Sequence, residues 1–402
     1  MKIVVIAIGL IVSVMNVTAQ STITKGDLKY VITTGVPFIR ITTDARSAGM
    51  GEVGVSTSAD NNSAFHNPAK LAFIDGDAGA AINFAPWLSQ ITKDIYLANI
   101  NGYYKLAPSH TVGLGIRYFT LGEIIYTDAN GASLGTYKPY EFAVEGNYAF
   151  RLARQFSIGA SARYIYSNLS SGTQNGTEIA PGSAFAVDLS AYYKDKIEIN
   201  GLEEARINIG ANLSNMGTKI QYTAFGTPDY IPTNLAIGST FEADFDEHSS
   251  LSGTLQFSKL LVPTPTYQLN TNTGEYDIFK DANNNGIPDF KEKSSIAGIL
   301  SSFGDHEDGI TGELSEFITQ IGVEYGYNKT YFLRAGFFYE PTGAGGRQFA
   351  TLGAGYKYNK LKIDFSYLLP VTQQKSPLDN QMRLSLGINF NEGNSKHSNP
   401  YY

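Results

Sequence analysis

The chain has 402 residues, no cysteine and a formal net charge of −7 at pH 7. Without cysteine it cannot use thiol catalysis, bind metal through thiolates or form disulfides. The negative charge, with no basic cluster to offset it, argues against a nucleic-acid-binding surface. The mean hydropathy of −0.14 is low for a helical membrane protein, but it is expected for a β-barrel in which only alternate residues meet lipid.

Residues 1–19 predict a secretory signal peptide. Met1 and Lys2 give a positive start, residues 3–17 form an apolar core, and Val17-Thr18-Ala19 resembles a cleavage site. The segment is short for a transmembrane anchor and ends in this cleavage motif, so we expect it to be removed on export.

Residues 20–78 predict a hatch inside a barrel. They contain no convincing lipid-facing strand, and residues 42–56 are mostly small. A segment of this length, placed before a barrel whose inward residues are small, is expected to fold into the lumen. His66 has no paired histidine nearby in the sequence, so we expect a hydrogen-bonded structural role for it rather than a role as a metal ligand or base.

Residues 79–390 predict a barrel because fourteen stretches alternate apolar and polar side chains. In the last stretch, Leu384, Leu386 and Ile388 alternate with polar or small residues. Successive side chains of a strand face opposite sides, so each stretch has one apolar face and one polar face. The predicted strands are 79–87, 94–105, 111–121, 139–150, 155–167, 183–194, 205–214, 233–244, 249–259, 315–327, 330–339, 349–358, 361–369 and 381–390.

The connections between these strands alternate in length. The short connections are 107–110, 151–154, 245–248, 328–329 and 359–360. The long connections are 122–138, 168–182, 215–232, 260–314, 340–348 and 370–380. Short turns at one end and long loops at the other are typical of an outer-membrane barrel, whereas a soluble sandwich has no reason to alternate in this way. Only 195–204 departs from the alternation. The predicted fold is therefore all-β: a 14-stranded antiparallel outer-membrane barrel with a hatch in its lumen and a carboxy-terminal tail, residues 391–402.

The two faces of the predicted strands differ in chemistry. The outward face is apolar, as in Leu114, Ile116 and Tyr118, and aromatic residues gather near strand ends, as expected at a lipid–water boundary. The inward face carries both signs of charge, on Arg117, Glu145, Arg163, Asp188, Glu324, Arg334, Asp364 and Arg383. We expect these groups to pair with one another and with the hatch rather than to serve catalysis or transport.

The hatch sequence resembles a known family. The run from Phe38 to Gly51, followed by Asn67-Pro68-Ala69-Lys70-Leu71, is similar to the amino-terminal signature of the PorV family, outer-membrane components of the type IX secretion system within the FadL-like barrel superfamily. The resemblance covers essentially the whole mature chain. It implies an outer-membrane protein without enzymatic activity, embedded in outer-membrane lipid, that takes part in protein export.

The resemblance also implies a set of partners. Members of the family receive cargo by its folded carboxy-terminal signal domain as it leaves a translocon barrel of the SprA/Sov type. They then deliver the cargo to a cell-surface sortase complex, which removes the signal and attaches the cargo to lipopolysaccharide. Residue-level recognition does not follow from the resemblance, but the long outer loops, above all 260–314, are the places where we expect recognition.

The longest loop contains a calcium-binding pattern. Residues 281–292 fit the EF-hand loop motif at every constrained position. The predicted ligands are Asp281, Asn283, Asn285, the carbonyl of Ile287, Asp289 and Glu292. Three acidic side chains and a proline at position 288 predict weak binding of Ca²⁺, suited to extracellular concentrations. A simple Asn/Gly turn is the alternative interpretation.

The residues after this motif have nearly helical apolar spacing. They are Phe290, Ile296, Ile299, Leu300 and Phe303, with Gly304 placed to end a helix. Such a face would either dock other proteins or pack on the barrel rim, and the sequence leaves both open.

Two other functions compete with secretion. A FadL-type transporter of hydrophobic small molecules would need an apolar pocket, which Phe38, Ile39, Phe65, Leu71 and Phe73 could line. A lipopolysaccharide deacylase would need a serine–histidine pair, and residues 131–135 match the G-x-S-x-G pattern around Ser133. That pattern lies in an outer loop without a following helix, so we interpret it as a chance match.

Overall fold

Fourteen strands of the computed structural model close into an antiparallel barrel. The structure describes residues 31–89, 92–127, 130–170, 172–174, 177–224, 226–270, 276–371 and 381–390. The predicted signal peptide and carboxy-terminal tail lie outside these residues. Within them, no helix is both long and apolar enough to cross a membrane.

Each barrel strand pairs with its neighbours in the sequence. The first and last strands close the barrel, with Ala78 opposite Phe390. The strands are β1 (Ala78–Pro86), β2 (Ile95–Ala107), β3 (His110–Leu121), β4 (Tyr140–Arg151), β5 (Phe156–Asn168), β6 (Gly182–Ile197), β7 (Glu204–Gly217), β8 (Asn234–Asp244), β9 (Ser249–Leu260), β10 (Ile318–Tyr327), β11 (Tyr331–Tyr339), β12 (Gln348–Tyr358), β13 (Leu361–Pro370) and β14 (Met382–Phe390). The predicted number, order and approximate positions of the strands are confirmed.

The alternation in the sequence becomes the two faces of the wall. On β3, Leu114 and Ile116 are exposed outward, whereas Arg117 is buried inside. Closure leaves no strand edge in the hydrocarbon, so the backbone groups of the strands are satisfied by their neighbours. The outer face is thus a continuous apolar band, and the inner face is a polar lining.

The short turns and long loops lie at opposite ends of the barrel. Asn328 and Asn359 begin two of the short turns with φ of 53° and 56°, a left-handed conformation that asparagine tolerates. The long loops carry three hairpins: Ile124–Thr127 with Ser133–Tyr137, Gly172–Gln174 with Thr177–Ile179, and Tyr267–Leu269 with Tyr276–Phe279. A short 3-10 turn, Thr342–Ala344, lies between β11 and β12.

The hatch lies in the lumen, as predicted. Its described part, residues 31–77, contains the helices α1 (Ala45–Ala48) and α2 (Ser63–His66) and the 3-10 turns Pro37–Arg40 and Pro68–Phe73. It hydrogen-bonds to inward groups on opposite sides of the barrel, from Arg117 on β3 to Glu324 on β10. A segment that reaches both sides of a closed barrel must lie inside it.

Close approach of the hatch to the wall depends on glycine. Gly51 has φ of +70°, a conformation that favours glycine. A Cβ added to Gly336 would lie 2.1 Å from Gly51 N and from Met50 C. The hatch backbone therefore touches the wall backbone directly at this point.

Candidate functional site

A buried charge network joins the hatch to one side of the barrel. Arg46 of α1 contacts Glu324 of β10 at 2.8 Å and Asp60 of the hatch at 2.8 Å. Glu324 also pairs with Arg334 of β11, which contacts Asp364 of β13 at 2.8 Å. Charges in a low-dielectric interior are costly unless paired, so this alternation of signs stabilises the hatch in one position.

A second charge cluster lies on the other side of the lumen. Arg163 of β5 bonds Glu145 of β4 and contacts Asp188 of β6 at 3.1 Å. Asp188 accepts a hydrogen bond from Asn215 N at 2.7 Å, where the β6–β7 register shifts and Asn215 has φ of 59°. A further bridge joins Arg383 of β14 to Glu52 of the hatch at 2.8 Å. The prediction that inward charges pair with one another and with the hatch is confirmed for these seven of the eight residues.

Arg117 is buried without a contacting carboxylate among the described residues. Its guanidinium donates to the carbonyls of Phe38 (3.2 Å) and Ile41 (2.6 Å), and it lies 4.0 Å from the centroid of the Phe65 ring. It lines a cavity of about 10 Å³ that Ile39 and Phe65 also line. That volume fits about one water molecule and is far too small for a detergent.

The five residues named for an apolar hatch pocket are divided between separate places. Phe38 and Ile39 belong to a cluster that also includes Leu97 of β2, while Leu71 and Phe73 pack in another cluster with Tyr103. Phe65 contacts Arg117 instead. Ile39 and Phe65 share the small cavity beside Arg117, but among the described residues the five side chains do not line one common pocket.

His66 has the structural role predicted for it. Its Nε2 lies 2.6 Å from Asp44 Oδ1. The other carboxylate oxygen of Asp44 accepts from Ser47 N at 2.8 Å and caps α1. The imidazole therefore helps to connect the two hatch helices.

The long loop between β9 and β10 contains three short helices. They are α3 (Asp289–Glu292), α4 (Ser295–Ser301) and α5 (Gly309–Leu314). Lys259 at the end of β9 anchors the loop by pairing with Glu313 and, at 2.8 Å, with Glu316. On the other side, Lys291 pairs with Asp229 of the neighbouring loop at 2.7 Å.

The helices α4 and α5 turn small residues inward and large apolar residues outward. Gly298 is buried, and a Cβ there would lie 3.1 Å from atoms of Pro263 and Tyr230. Gly312 is also buried, and a Cβ there would collide with the ring of His306. The outward residues are Ile296 (73% exposed), Leu300 (71%), Phe303 (53%), Ile310 (81%) and Leu314 (65%). We call these five residues the loop surface.

The loop surface differs from the single helical face expected from the sequence. Phe290 is buried on α3 and packs against Phe279, whereas Leu300 on α4 is exposed. The chain breaks between the helices because Ser294 caps α4 by accepting from Ala297 N at 3.3 Å, and α4 ends at Ser301, before Gly304. Sequence reasoning missed Ile310 and Leu314, although their spacing of four residues indicates one helical face.

The predicted calcium loop brings most of its side chains together. The carboxylate of Asp281 accepts from Asn285 N at 3.2 Å and Gly286 N at 2.8 Å. The amides of Asn283 and Asn285 donate to Glu292 Oε1 at 2.9 and 2.5 Å. Gly286 makes the sharp turn with φ of 82°.

The remaining predicted ligands lie at the edges of that cluster. Asp289 Oδ1 accepts from Ala282 N at 2.9 Å, and the amide of Ile287 donates to Asn285 Oδ1 at 2.8 Å. The described part of the chain contains no group of three His, Cys, Asp or Glu that could hold a metal, so asparagine and carbonyl oxygens would have to complete this site. The calcium site stays a prediction.

Ser133 does not lie on a nucleophile elbow. It begins the strand Ser133–Tyr137 of an outer hairpin and is exposed. Its Oγ accepts from Gly135 N at 3.4 Å, and no histidine is among its described hydrogen-bond partners. The strand–turn–helix that this motif requires is not formed here.

Comparison with known proteins places this architecture in a family. A family model described as "Type IX secretion system protein PorV" matches residues 24–267, more than half of the chain. No curated protein sequence matches the chain.

Several solved structures resemble this fold. The Ralstonia pickettii toluene transporter TbuX is 13% identical with a TM-score of 0.48, over 86% of this chain and 98% of that one. The Pseudomonas putida toluene transporter TodX is 12% identical with a TM-score of 0.46, over 85% and 95%. A Pseudomonas aeruginosa FadL homologue is 14% identical with a TM-score of 0.43, over 90% and 100%. These likenesses carry no information on ligands.

Proposed function

Because the chain belongs to the PorV family of type IX secretion proteins, we propose that it is an outer-membrane shuttle for exported cargo. It binds the carboxy-terminal signal domain of cargo at the translocon barrel and delivers the cargo to the cell-surface attachment complex. It forms and breaks no covalent bond itself. The outer loops recognise the signal domain, and the barrel keeps those loops at the membrane surface.

One observation supports this function above the others: among the described residues, the hatch occupies the lumen while an outer surface is left apolar. The hatch packs against inward groups around the barrel, and the described cavity beside Arg117 fits about one water molecule. In contrast to the packed lumen, Leu300 and Ile310 of the loop surface are 71% and 81% exposed. Exposed apolar patches on folded proteins mark sites of protein interaction.

Affinity purification of the full-length protein from native outer membranes in mild detergent tests the proposal. We expect a very large translocon barrel and exported proteins with a common carboxy-terminal domain to co-purify. Leu300→Asp adds a charge to the loop surface and should reduce the cargo recovered at least about tenfold, because a buried unpaired charge at an interface costs more than 1.4 kcal/mol.

Leu269→Asp is the matched control, since Leu269 is 49% exposed in the same long loop but lies outside the loop surface. It should leave cargo recovery unchanged. The shuttle function is wrong if neither translocon nor cargo co-purifies with the wild-type protein. The role of the loop surface is wrong if both variants recover as much cargo as the wild type.

A FadL-type transporter of hydrophobic small molecules is the second candidate. The observation in its favour is the apolar cluster at the long-loop end of the lumen, built from Leu97, Phe119 and Ile165 of the wall. Side chains of the hatch occupy that cluster, so transport would require them to leave. The test measures uptake of a labelled aromatic hydrocarbon by cells with and without the protein. Equal rates in the two would remove this candidate.

A lipopolysaccharide deacylase is the third candidate, and only the G-x-S-x-G pattern favours it. Ser133→Ala removes the nucleophile such an enzyme would need. If lipid A carries the same acyl chains in cells with this variant as in wild-type cells, this candidate is removed.

A further inference from the structure

The first described residues of the hatch close the outer mouth of the lumen. Residues 31–41, which we call the stopper, place Val36, Phe38 and Ile39 in the apolar cluster at the long-loop end, each no more than 2% exposed. The wall contributes Leu97 and other inward residues of β1 to β6 to the same cluster. The stopper thus occupies space that would otherwise be an apolar opening toward the outside.

Apart from the short 3-10 turn Pro37–Arg40, the stopper is held by burial. Val36 has φ of 47° and ψ of 49°, a left-handed conformation that is a genuine outlier for a β-branched residue. Its described polar contacts are few: Gly35 N donates to Tyr230 O at 2.9 Å, and Arg117 donates to the carbonyls of Phe38 and Ile41. Such a strained conformation persists only where the surrounding structure holds it. The position of the stopper therefore depends on the loop between β7 and β8, which carries Tyr230.

Tyr230 connects that loop to the long loop. Its carbonyl accepts from Gly35 of the stopper, and its hydroxyl lies 2.9 Å from Phe290 O and 2.7 Å from Lys293 O of the long loop. Its ring lies under α4, where Gly298 fits against it. Burial raises the pKa of Tyr230 to about 12.

Neighbouring contacts also link the three segments. Ile220 and Asp229 exchange backbone hydrogen bonds of 2.9 and 2.8 Å, and Ile220 packs in the same apolar cluster as the stopper. Lys219 lies 4.1 Å from the centroid of the Tyr230 ring and donates to Lys291 O at 2.6 Å.

We propose that Tyr230 couples the long loop to the stopper, so that displacement of α3 and α4 by a docked partner loosens residues 31–41 and opens the outer mouth of the lumen. The mouth is then closed when no partner is bound to the loop surface. The coupling involves only contacts within this chain and goes beyond the shuttle function. It can therefore be tested without cargo or translocon.

Trp87 reports on the stopper, because it is the single tryptophan of the sequence. Its ring packs edge-on against Phe119, with ring centroids 6.5 Å apart, and Phe119 stacks on Phe38 at 6.3 Å. Two measurements on the purified full-length protein follow the stopper: quenching of Trp87 fluorescence by acrylamide, and hydrogen exchange of the amides of residues 35–41.

Tyr230→Phe removes the hydroxyl and keeps the ring. We expect the quenching constant of Trp87 to rise about twofold and the exchange of the Gly35 amide to accelerate about three- to tenfold, the effect of losing one buried hydrogen bond. Tyr222→Phe is the matched control, because the Tyr222 hydroxyl donates to Ser167 Oγ of β5 at 2.9 Å and not to the long loop. It should leave both measurements at the wild-type values.

Lys291→Met provides a second variant on the long-loop side, where it removes the ion pair with Asp229 and leaves Tyr230 intact. It should change both measurements in the same direction as Tyr230→Phe. The coupling is wrong if Tyr230→Phe and Lys291→Met both match the wild type, or if Tyr222→Phe accelerates exchange as much as Tyr230→Phe. Circular dichroism that reports wild-type strand content confirms that each variant is folded.

Discussion

Arg46 joins the hatch to the wall through a buried charge. Its side chain is only 8% exposed, and it contacts both Glu324 of the wall and Asp60 of the hatch. A pair of opposite charges in the interior contributes little net stability against apolar replacements, but removal of one partner leaves an uncompensated charge. The guanidinium is therefore more costly to remove than a count of its hydrogen bonds suggests.

Replacing Arg46 with methionine tests this directly. We expect Arg46→Met to lower the free energy of unfolding by about 3–5 kcal/mol, because Asp60 loses its described ion-pair partner and Glu324 keeps only Arg334. Urea unfolding in lipid vesicles, followed by tryptophan fluorescence, measures the change. Lys138→Met is the control: Lys138 pairs with Glu123 but is 73% exposed, so its loss should cost about 0–1 kcal/mol. Equal effects of the two variants would contradict the argument.

Asp281 is the residue whose replacement tests the predicted calcium site. Its carboxylate already accepts two backbone amides in the geometry of a tight loop, and Ca²⁺ prefers carboxylate, amide and carbonyl oxygens. Calorimetry with Ca²⁺ on the full-length protein should give heat with a dissociation constant of about 10⁻⁴–10⁻³ M, and Asp281→Ala should abolish it. Asp308→Ala, which removes an exposed carboxylate outside the motif, should leave the heat unchanged. Heat that survives Asp281→Ala would show that the site is elsewhere.

At the scale of elements, α1 and the residues just after it fit because their close neighbours on β10, β11 and β12 are glycines. A Cβ on Gly322 would lie 2.5 Å from Met50 O, and one on Gly336 would lie 2.1 Å from Gly51 N. Gly353 approaches Gly49 in the same way. The glycines of β10, β11 and β12 therefore form the surface on which the hatch backbone rests.

We expect Gly336→Ala to destabilise the protein by about 1–3 kcal/mol, because the added methyl group meets backbone atoms that cannot rotate away. The same urea titration measures it, and limited proteolysis of the hatch shows whether the segment is displaced. Gly146→Ala on β4 is the control, since a Cβ there meets nothing within 4 Å. A Gly336→Ala protein as stable as the control would mean that the hatch does not press against the wall in solution.

The strands of the barrel could be predicted from the sequence because every strand shows the same alternation of apolar and polar residues. An alternation of period two fixes which residues face lipid, and all fourteen strands lie within three residues of the predicted bounds. The inward position of Arg163 followed from the same parity, but its partners Glu145 and Asp188 did not. Partnership depends on strand register and on the path of the hatch, and neither is encoded in local periodicity.

The long loop was harder to predict because its helices are too short for periodicity to settle their orientation. Phe290 and Leu300 are both apolar, yet one is buried and the other exposed. The buried positions of α4 and α5 are glycines, Gly298 and Gly312. Apolar residues thus point away from the protein, which reverses the usual rule for a surface helix and marks the loop surface.

At the scale of the whole molecule, the barrel with its hatch and the long loop have different roles. The hatch is fixed to several strands by charge pairs and to others by backbone contact, so the wall acts as a rigid support. The long loop is held at two anchors, Lys259 and Asp229, and presents its apolar residues beyond them. Binding sites on loops that a rigid scaffold positions are common in proteins.

A filled lumen predicts the electrical behaviour of the protein. We expect the wild-type protein, reconstituted in a planar lipid bilayer, to give no steady ion current, because the hatch and the stopper occupy the lumen and the described cavity beside Arg117 fits about one water molecule. The double variant Arg46→Met and Arg383→Met removes hatch–wall bridges to Glu324 and Glu52, so the hatch should leave its position transiently and produce brief openings. Lys138→Met should stay as silent as the wild type. A steady current through the wild-type protein would show that the lumen conducts, and it would favour a transporter over a scaffold that holds its loops at the membrane surface.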